Sequence, residues 1–179
     1  MSITKTILPE KSILKSEETM YDYIDSYHGD FNDKNGKITS TEIGKLFFTS
    51  SPEWVDKLFE IRNRIVGLFG LKTSGSIDNR NQILDNFSGE LGESVGLFKI
   101  FYKSVDEIVL GEDDKHLDFR VSLFIQRNQN EMNNLVISTA VKYNHWLGRL
   151  YFLPVSPFHK LIVPTMLKRM IYNIETLKR

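Results

Sequence analysis

The sequence has no cysteine, and its charges show no excess of either sign. The missing thiol excludes thiolate metal sites, disulfides and cysteine nucleophiles. The 23 Lys and Arg residues balance 23 Asp and Glu residues, so the formal net charge is +0. Nucleic-acid-binding domains usually carry clustered Lys and Arg, and we therefore expect no nucleic-acid partner. No apolar run approaches the roughly 20 residues that a membrane-spanning helix needs, so no membrane span is expected.

Sequence signatures of catalysis and cofactor binding are also missing. There is no G-x-S-x-G elbow, no Walker loop, no G-x-G-x-x-G loop and no paired catalytic carboxylate signature. No pair of histidines has H-x-x-x-H spacing, and we predict neither a metal nor a cofactor. The segment before residue 16 lacks the continuous apolar stretch of a signal peptide. A cysteine-free chain also suits a reducing compartment, so we expect an unprocessed cytoplasmic protein.

The chain is long enough for one domain with a sizeable core. Its 179 residues are 41% hydrophobic and 12% aromatic, and the aromatic share is high. Such a share indicates a bulky core or, alternatively, an aromatic-lined cavity. Lys and Glu surround Pro9 near the start of the chain, which is typical of an extended arm. We therefore predict an arm over residues 1–18 and a single domain over residues 19–179.

The longest alternation of apolar and polar residues runs from Leu117 to Tyr143. A period of two over about ten residues is typical of a half-buried antiparallel strand. A turn composition at residues 128–130 separates two such strands. The inward positions are Leu117, Phe119, Val121, Leu123 and Ile125 in the first, and Leu135, Ile137, Thr139, Val141 and Tyr143 in the second. This pattern predicts a hairpin at the centre of a twisted antiparallel sheet.

Shorter signals predict the other strands and a helix between them. Evenly spaced aromatic residues from Tyr21 to Phe31 predict a first strand. Ser51 and Pro52 form an N-cap and first-turn proline, and an apolar stripe follows over residues 54–68, so a helix begins there. A further hairpin is predicted over residues 95–111, with its turn at residues 104–106.

A long helix is predicted at the C-terminus. Ser156 and Pro157 repeat the N-cap and proline signal, and a helical apolar period continues to about Leu177. Pro164 interrupts this period and cannot donate to the carbonyl of Lys160. The helix is therefore expected to bend or break near that point.

The loop over residues 31–42 imitates a calcium-binding EF-hand loop. Asp33, Asn35, Gly36 and Glu42 occupy positions that such a loop uses, but Phe31 stands where the motif needs a carboxylate. The incoming segment also alternates like a strand. The favoured interpretation is a polar turn in which Thr39, Ser40 or Thr41 caps a short helix.

The predicted order is strand, two helices, four strands and a long terminal helix, an α+β arrangement. A curved antiparallel sheet of about five strands that grips such a helix is the helix-grip plan, and the chain resembles the START and Bet v 1-like superfamily. The segments Gly111–Arg120, Trp146–Phe152 and Pro157–His159 resemble those of a bacterial domain-of-unknown-function family, DUF 2867. That resemblance covers about residues 20–170. The START and Bet v 1-like resemblance implies a hydrophobic cavity, and the DUF 2867 resemblance implies no established activity.

Three groups of residues are candidates for function. His116, Asp118 and Arg120 share one strand face, where they can bind an anion or move a proton, although a surface ion pair is the favoured interpretation. His145 and His159 are candidate bases, although a core or boundary histidine is the favoured interpretation of each. Residues expected to line a ligand cavity are Trp54, Tyr143, Trp146, Arg149, Tyr151, Phe152 and Phe158.

The first functional hypothesis is a non-catalytic protein that binds a hydrophobic small molecule or lipid-like ligand between the sheet and the C-terminal helix. The second is an enzyme of the isomerase, cyclase or hydrolase type that uses the same cavity. The third, which the resemblance alone suggests, is an interaction module for a dehydrogenase-like partner, because some members of the family are fused to such domains. The sequence does not indicate an oligomeric state.

Overall fold

A computed structural model describes residues 2–33, 38–52, 54, 87–128 and 132–176. Seven antiparallel strands form one sheet in the spatial order β1-β2-β7-β6-β5-β4-β3. The strands are β1 (Ile3–Thr6), β2 (Tyr23–Asn32), β3 (Ser94–Val95), β4 (Phe98–Lys103), β5 (Glu107–Asp113), β6 (Leu117–Gln126) and β7 (Met132–Tyr143). Two α-helices in the described residues, α1 (Ser40–Thr49) and α2 (Trp146–Thr176), pack on the same face of this sheet.

The predicted central hairpin is confirmed. β6 and β7 pair along their length, with Val121 opposite Thr139 and Leu123 opposite Ile137, and they occupy the middle of the sheet. Because side chains alternate along a strand, these positions all point towards the helices. Leu123 and Ile137 are part of the core there.

The sheet has more strands than the sequence predicts. The expected number is about five, whereas the structure has seven. The two additional strands lie at the edges, where β1 pairs with β2 and β3 pairs with β4. β1 has four residues and β3 has two, so neither is long enough to show an alternation that stands out from the surrounding sequence.

The predicted short helix after the loop at residues 31–42 is confirmed as α1. Thr39 is its N-cap, and the Glu42 carboxylate accepts a hydrogen bond from the Thr39 backbone N–H at 2.8 Å. The Glu42 carboxylate therefore completes a capping box at the start of α1. Phe31 is fully buried in the core, and the Asp33 carboxylate accepts from the Ile38 N–H at 3.1 Å. Asn35 and Gly36 of that loop lie outside the described residues.

The C-terminal helix begins earlier than predicted. α2 starts at Trp146 rather than near Ser156, and Pro154, Pro157 and Pro164 all lie inside it. Each proline removes one hydrogen bond of the helix, yet the helix continues on both sides because its inner face packs on the sheet. A break at Pro164 is therefore wrong, while a bend there stays a prediction. The helix predicted from Ser51 falls, apart from Trp54, outside the described residues.

The two faces of the sheet are covered differently. α1 and α2 cover one face, and part of the aromatic content fills the core beneath α1 as a series of edge-to-face rings. These rings belong to Phe47, Phe48, Phe87, Phe98 and Phe119. The other face is covered by the segment after β1, in which Leu8 and a 3-10 helix (Ile13–Met20) pack on Val109 and Ala140. Among the described helices, none is both long and apolar enough to cross a membrane.

Candidate functional site

A buried carboxylate and a histidine meet between β2 and α2. Asp25 lies on β2, and the alternation of that strand turns its side chain towards the helix. His159 lies in the middle of α2, and its Nε2 is 3.1 Å from Oδ1 of Asp25. The Asp25 side chain is 2% exposed and the His159 side chain 16%, so both are largely removed from water. A buried carboxylate needs such a partner, because desolvation of an unpaired charge is costly.

Tyr23 supplies the second contact to the same carboxylate. Its hydroxyl donates to Oδ2 of Asp25 at 2.7 Å. Burial, followed by the bond to Asp25, raises the pKa of Tyr23 well above its usual value of 10.0, so the phenol stays protonated. The Tyr23 ring contacts His159 edge-on, with ring centroids 6.4 Å apart. Asp25 therefore holds a phenol and an imidazole at fixed positions.

Thr139 adds a polar group with no partner. It is opposite Asp25 in the β2–β7 register, and its side chain belongs to the same alternation as Ile137 and Val141, which point to the helices. The Thr139 hydroxyl is buried, and no group of the described residues hydrogen-bonds to it. An unsatisfied buried hydroxyl costs about 1–3 kcal/mol. Asp25, His159, Tyr23 and Thr139 are called the polar centre below.

Aromatic rings border the polar centre along the first half of α2, residues 146–162. Phe152 contacts Tyr23 with ring centroids 4.8 Å apart, and it contacts Tyr143 at 5.9 Å. The guanidinium of Arg149 lies 5.5 Å from the centre of the Tyr143 ring. Burial, and then the nearby Asp22 carboxylate, raise the pKa of Tyr143. The polar centre thus has an apolar border with one cation at its outer end.

The arrangement suits acid–base and hydrogen-bonding chemistry. Asp25 fixes the orientation of the His159 ring through Nε2, and no described residue bonds its other ring nitrogen, Nδ1. A histidine ring held in this way can take part in hydrogen bonding or proton transfer. Within the described part of the chain, no group of three or more His, Cys, Asp or Glu residues is arranged to hold a metal ion.

The predicted trio on β6 does not converge. Arg120 pairs with Asp113 at 2.6 Å and lies 3.5 Å above the Phe101 ring, so its partner is not Asp118. The Asp118 carboxylate accepts from the Asn144 side-chain amide at 2.7 Å. His116 lies just before the strand and contacts a different residue, described next.

The histidines at the start of α2 form a separate pair. His116 and His145 have ring centroids 5.9 Å apart. The Nδ1 atom of His145 accepts from the N–H of Leu147 at 3.4 Å, a contact in the first turn of the helix. The Nδ1 atom of His116 is buried and bonds to none of the described residues. Of the five candidate catalytic residues, only His159 lies at the polar centre.

The seven predicted ligand-lining residues do not all lie together. Tyr143 and Phe152 border the polar centre, and Arg149 stacks on the former. Tyr151 is half-buried. Trp146 and Phe158 point away from the sheet and are 67% and 49% exposed. Trp54 is 41% exposed.

Sequence reasoning missed Asp25, Tyr23 and Thr139. A signal existed for the first: an acid between Tyr23 and Tyr27 occupies an inward position in a strand whose other inward residues, apart from Gly29, are aromatic. Buried Asp is rare without a partner, so this break in the pattern marks a site. Its partner is separated from it by 134 positions, and no local pattern connects them.

A second buried carboxylate, Glu107, lies on the opposite face of the sheet, and both of its oxygens accept hydrogen bonds. It accepts hydrogen bonds from the Ser12 hydroxyl at 2.5 Å, from the Ile13 N–H at 2.9 Å and from the Ser122 hydroxyl at 2.6 Å. These bonds fasten the segment after β1 to β5 and β6. Glu107 therefore has a structural role.

Comparisons with known proteins add one finding. A search of curated proteins gives no match, and a search of solved structures gives none. A family model described as a protein of unknown function (DUF2867) matches residues 19–166. The match includes β2, β7 and most of α2, and so it contains the whole polar centre. The chain therefore belongs to the DUF2867 family.

Proposed function

We propose that this protein binds a small, largely apolar molecule between the sheet and the first half of α2. The polar centre would bond the one polar group of that molecule. The observation that carries the proposal is the buried Asp25–His159 pair next to the unpartnered hydroxyl of Thr139. Small-molecule sites usually combine apolar and aromatic walls with a few convergent polar groups. In the helix-grip plan, a curved sheet packs against a terminal helix, and such a site would lie between the two.

The two halves of α2 differ in a way that supports this location. In the second half, Leu167, Met170 and Ile171 are fully buried against the sheet. In the first half, the inner face carries Phe152 and His159, and the strands opposite present Tyr23, Thr139 and Tyr143. Polar groups in a protein interior are expected to find partners. A ligand with a carbonyl or hydroxyl group would supply a partner to the Thr139 hydroxyl.

Native purification followed by mass spectrometry tests the proposal. We expect a small organic molecule to co-purify with the wild-type protein and to be depleted in Thr139→Val, which removes the hydroxyl but keeps the shape. Ser138→Ala is the matched control, because Ser138 is the next residue on β7 and its buried hydroxyl bonds Ser26 on the other face of the sheet. Equal retention of the molecule by both variants, or no molecule in any preparation, would overturn the proposal.

An acid–base enzyme at the same site is the second candidate. The observation that favours it is the orientation of His159 by Asp25, since a histidine fixed through one nitrogen is suited to transfer protons at the other. If the bound molecule is converted, His159→Gln should abolish turnover while binding is retained. His145→Gln is the control, because His145 is exposed and lies outside the polar centre. Binding without conversion in the wild type would leave the protein as a carrier or sensor.

A further inference from the structure

The outward side of α2 carries a continuous apolar stripe. Trp146, Leu150, Leu153 and Leu161 are 67%, 55%, 65% and 64% exposed. With Pro157 between them, they are spaced by four, three, four and four residues, so they lie along one side of the helix. Single exposed apolar residues are ordinary, but a row of large ones on one helix indicates an interaction surface.

This stripe is separate from the proposed ligand site. Phe152 and His159 occupy the opposite side of the same helix turns and face the sheet. The stripe does not continue into the second half of the helix, because the exposed Lys168 occupies the corresponding outward position there. The first half of α2 thus has apolar side chains on two sides, and only one of these sides packs on the sheet.

On α2 itself, the charges before Glu175 have a single sign. Residues 132–174 contain no Asp or Glu, although the whole chain is neutral. The same span contains Lys142, Arg149, Lys160, Lys168 and Arg169. Arg149 and Lys160 are both exposed on α2 and lie within the length of the stripe. A helix with exposed Trp and Leu side chains, flanking cations and no acid complements an anionic surface.

We propose that the outward side of α2, residues 146–161, docks on an anionic lipid bilayer. Trp146 and the leucines would enter the boundary between headgroups and acyl chains, and Arg149 and Lys160 would contact the headgroups. Pro154 and Pro157 support a shallow position, because each leaves a helix carbonyl, of Leu150 and of Leu153, without its usual donor. Such carbonyls need water, which is present at the headgroup level but not in the hydrocarbon.

A second copy of the chain is a poorer occupant of this surface. Two stripes packed against each other would bring Arg149 and Lys160 of both copies together, and the helix has no acid before Glu175 to pair with them. Like charges in contact oppose association. An anionic bilayer removes this repulsion and supplies the opposite charge.

Vesicle co-sedimentation of the full chain tests the proposal. We expect binding to vesicles that contain phosphatidylserine and weak binding to vesicles of phosphatidylcholine alone. Leu150→Ser with Leu153→Ser should lower the partition coefficient at least tenfold, since each leucine loses its buried side chain. Arg149→Glu with Lys160→Glu should lower it by a similar factor, because each cation near an anionic surface contributes about 1 kcal/mol.

Tyr172→Ser is the matched control, because Tyr172 is 63% exposed on the same helix but lies beyond the stripe. Thermal unfolding of each variant excludes loss of the fold as the cause of weaker binding. Equal sedimentation with neutral and anionic vesicles, or an unchanged partition for both double variants, would overturn the proposal. So would a wild-type dimer in solution that Leu150→Ser with Leu153→Ser dissociates, since the occupant would then be a second copy.

Discussion

His159 on α2 lies 3.1 Å, Nε2 to Oδ1, from Asp25 on β2, and this contact joins the C-terminal helix to the sheet at a buried position. The carboxylate has its other oxygen on the Tyr23 hydroxyl at 2.7 Å. Both bonds form only in the folded state, because the residues come from β2 and from a helix at the far end of the chain. The contact therefore connects the stability of the fold to the geometry of the candidate site.

The Asp25–His159 contact should appear as a coupling free energy. Asp25→Asn and His159→Gln each remove one partner and leave the other buried, so each should destabilise the protein by about 1–3 kcal/mol. The double variant should cost less than the sum of the two, because no unpaired group is left. Urea unfolding at neutral pH of the four proteins in this cycle measures the coupling. Strict additivity would mean that the two side chains do not interact in solution.

Tyr23→Phe should weaken the same cluster by a smaller amount. The substitution keeps the ring that contacts Phe152 and removes the hydroxyl that donates to Asp25. We expect a loss of about 1 kcal/mol in the free energy of unfolding, the usual contribution of one such bond. Tyr172→Phe is the control, since Tyr172 is exposed. An equal effect of both substitutions would show that the Tyr23–Asp25 bond contributes nothing.

The parts of the fold that the sequence predicted depend on local patterns. The alternation over residues 117–143 identified the central hairpin, and a cap at Thr39, Ser40 or Thr41 identified α1, whose N-cap is Thr39. The sequence misplaced the start of α2, because Ser156 and Pro157 form a convincing N-cap signal. Tertiary packing overrides that signal here: the first turn of α2 is held against the backbone of His116.

The candidate site was only partly predictable for a related reason. His159 was a candidate from its residue type, but Asp25, Thr139 and Tyr23 become a site only when β2 pairs with β7 and α2 crosses both. Such contacts are long-range, and a single sequence contains no record of them. Trp146, before the predicted helix, and Phe158, within it, were assigned to a cavity, yet both side chains are largely exposed. Periodicity shows that residues share a side, but not which side faces the sheet.

Ser12→Ala should loosen the segment that covers the second face of the sheet. The Ser12 hydroxyl donates to the buried Glu107, and removing it leaves that carboxylate short of a donor, at a cost of about 1–3 kcal/mol. We expect faster amide hydrogen exchange over residues 8–20 in the variant, with β6 and β7 unchanged. Ser16→Ala is the control, because the exposed Ser16 hydroxyl bonds only the Ile13 carbonyl. Unchanged exchange in Ser12→Ala would show that the Ser12–Glu107 hydrogen bond does not hold the segment.

Gly148→Ala should have two opposing effects on stability, one from helix propensity and one from packing. In an open helix the change should stabilise by roughly 1 kcal/mol. Here the new Cβ would overlap the backbone carbonyl of His116, and that carbonyl already accepts from the N–H groups of Asn144 and His145. Because the carbonyl cannot move without losing these bonds, we expect a net loss of about 1–3 kcal/mol. Thermal unfolding decides the sign, and a stabilised variant would refute the close approach of α2 to this turn.

Glu93→Gln should remove a stabilisation that depends on pH. Burial alone would raise the pKa of Glu93, but hydrogen bonds from Ser88, Gly89 and Glu90 outweigh it and lower the pKa below the model-compound value of 4.5. A carboxyl whose folded pKa is depressed stabilises the fold above its unfolded pKa, and the effect is lost as pH falls through the folded pKa. The free energy of unfolding of the wild type should therefore exceed that of the variant by about 1 kcal/mol at neutral pH, and this difference should disappear in acid.

Denaturant unfolding at neutral pH and at several acidic values below the unfolded pKa of Glu93 measures this gap. Glu90→Gln serves as the control, since the Glu90 side chain is 73% exposed and its ion pair with Lys103 is of the kind that contributes little. A constant difference between wild type and Glu93→Gln across the acidic range would contradict the prediction. It would mean that the difference does not depend on the ionisation of Glu93, and that the loop over residues 88–93 is not held by charge.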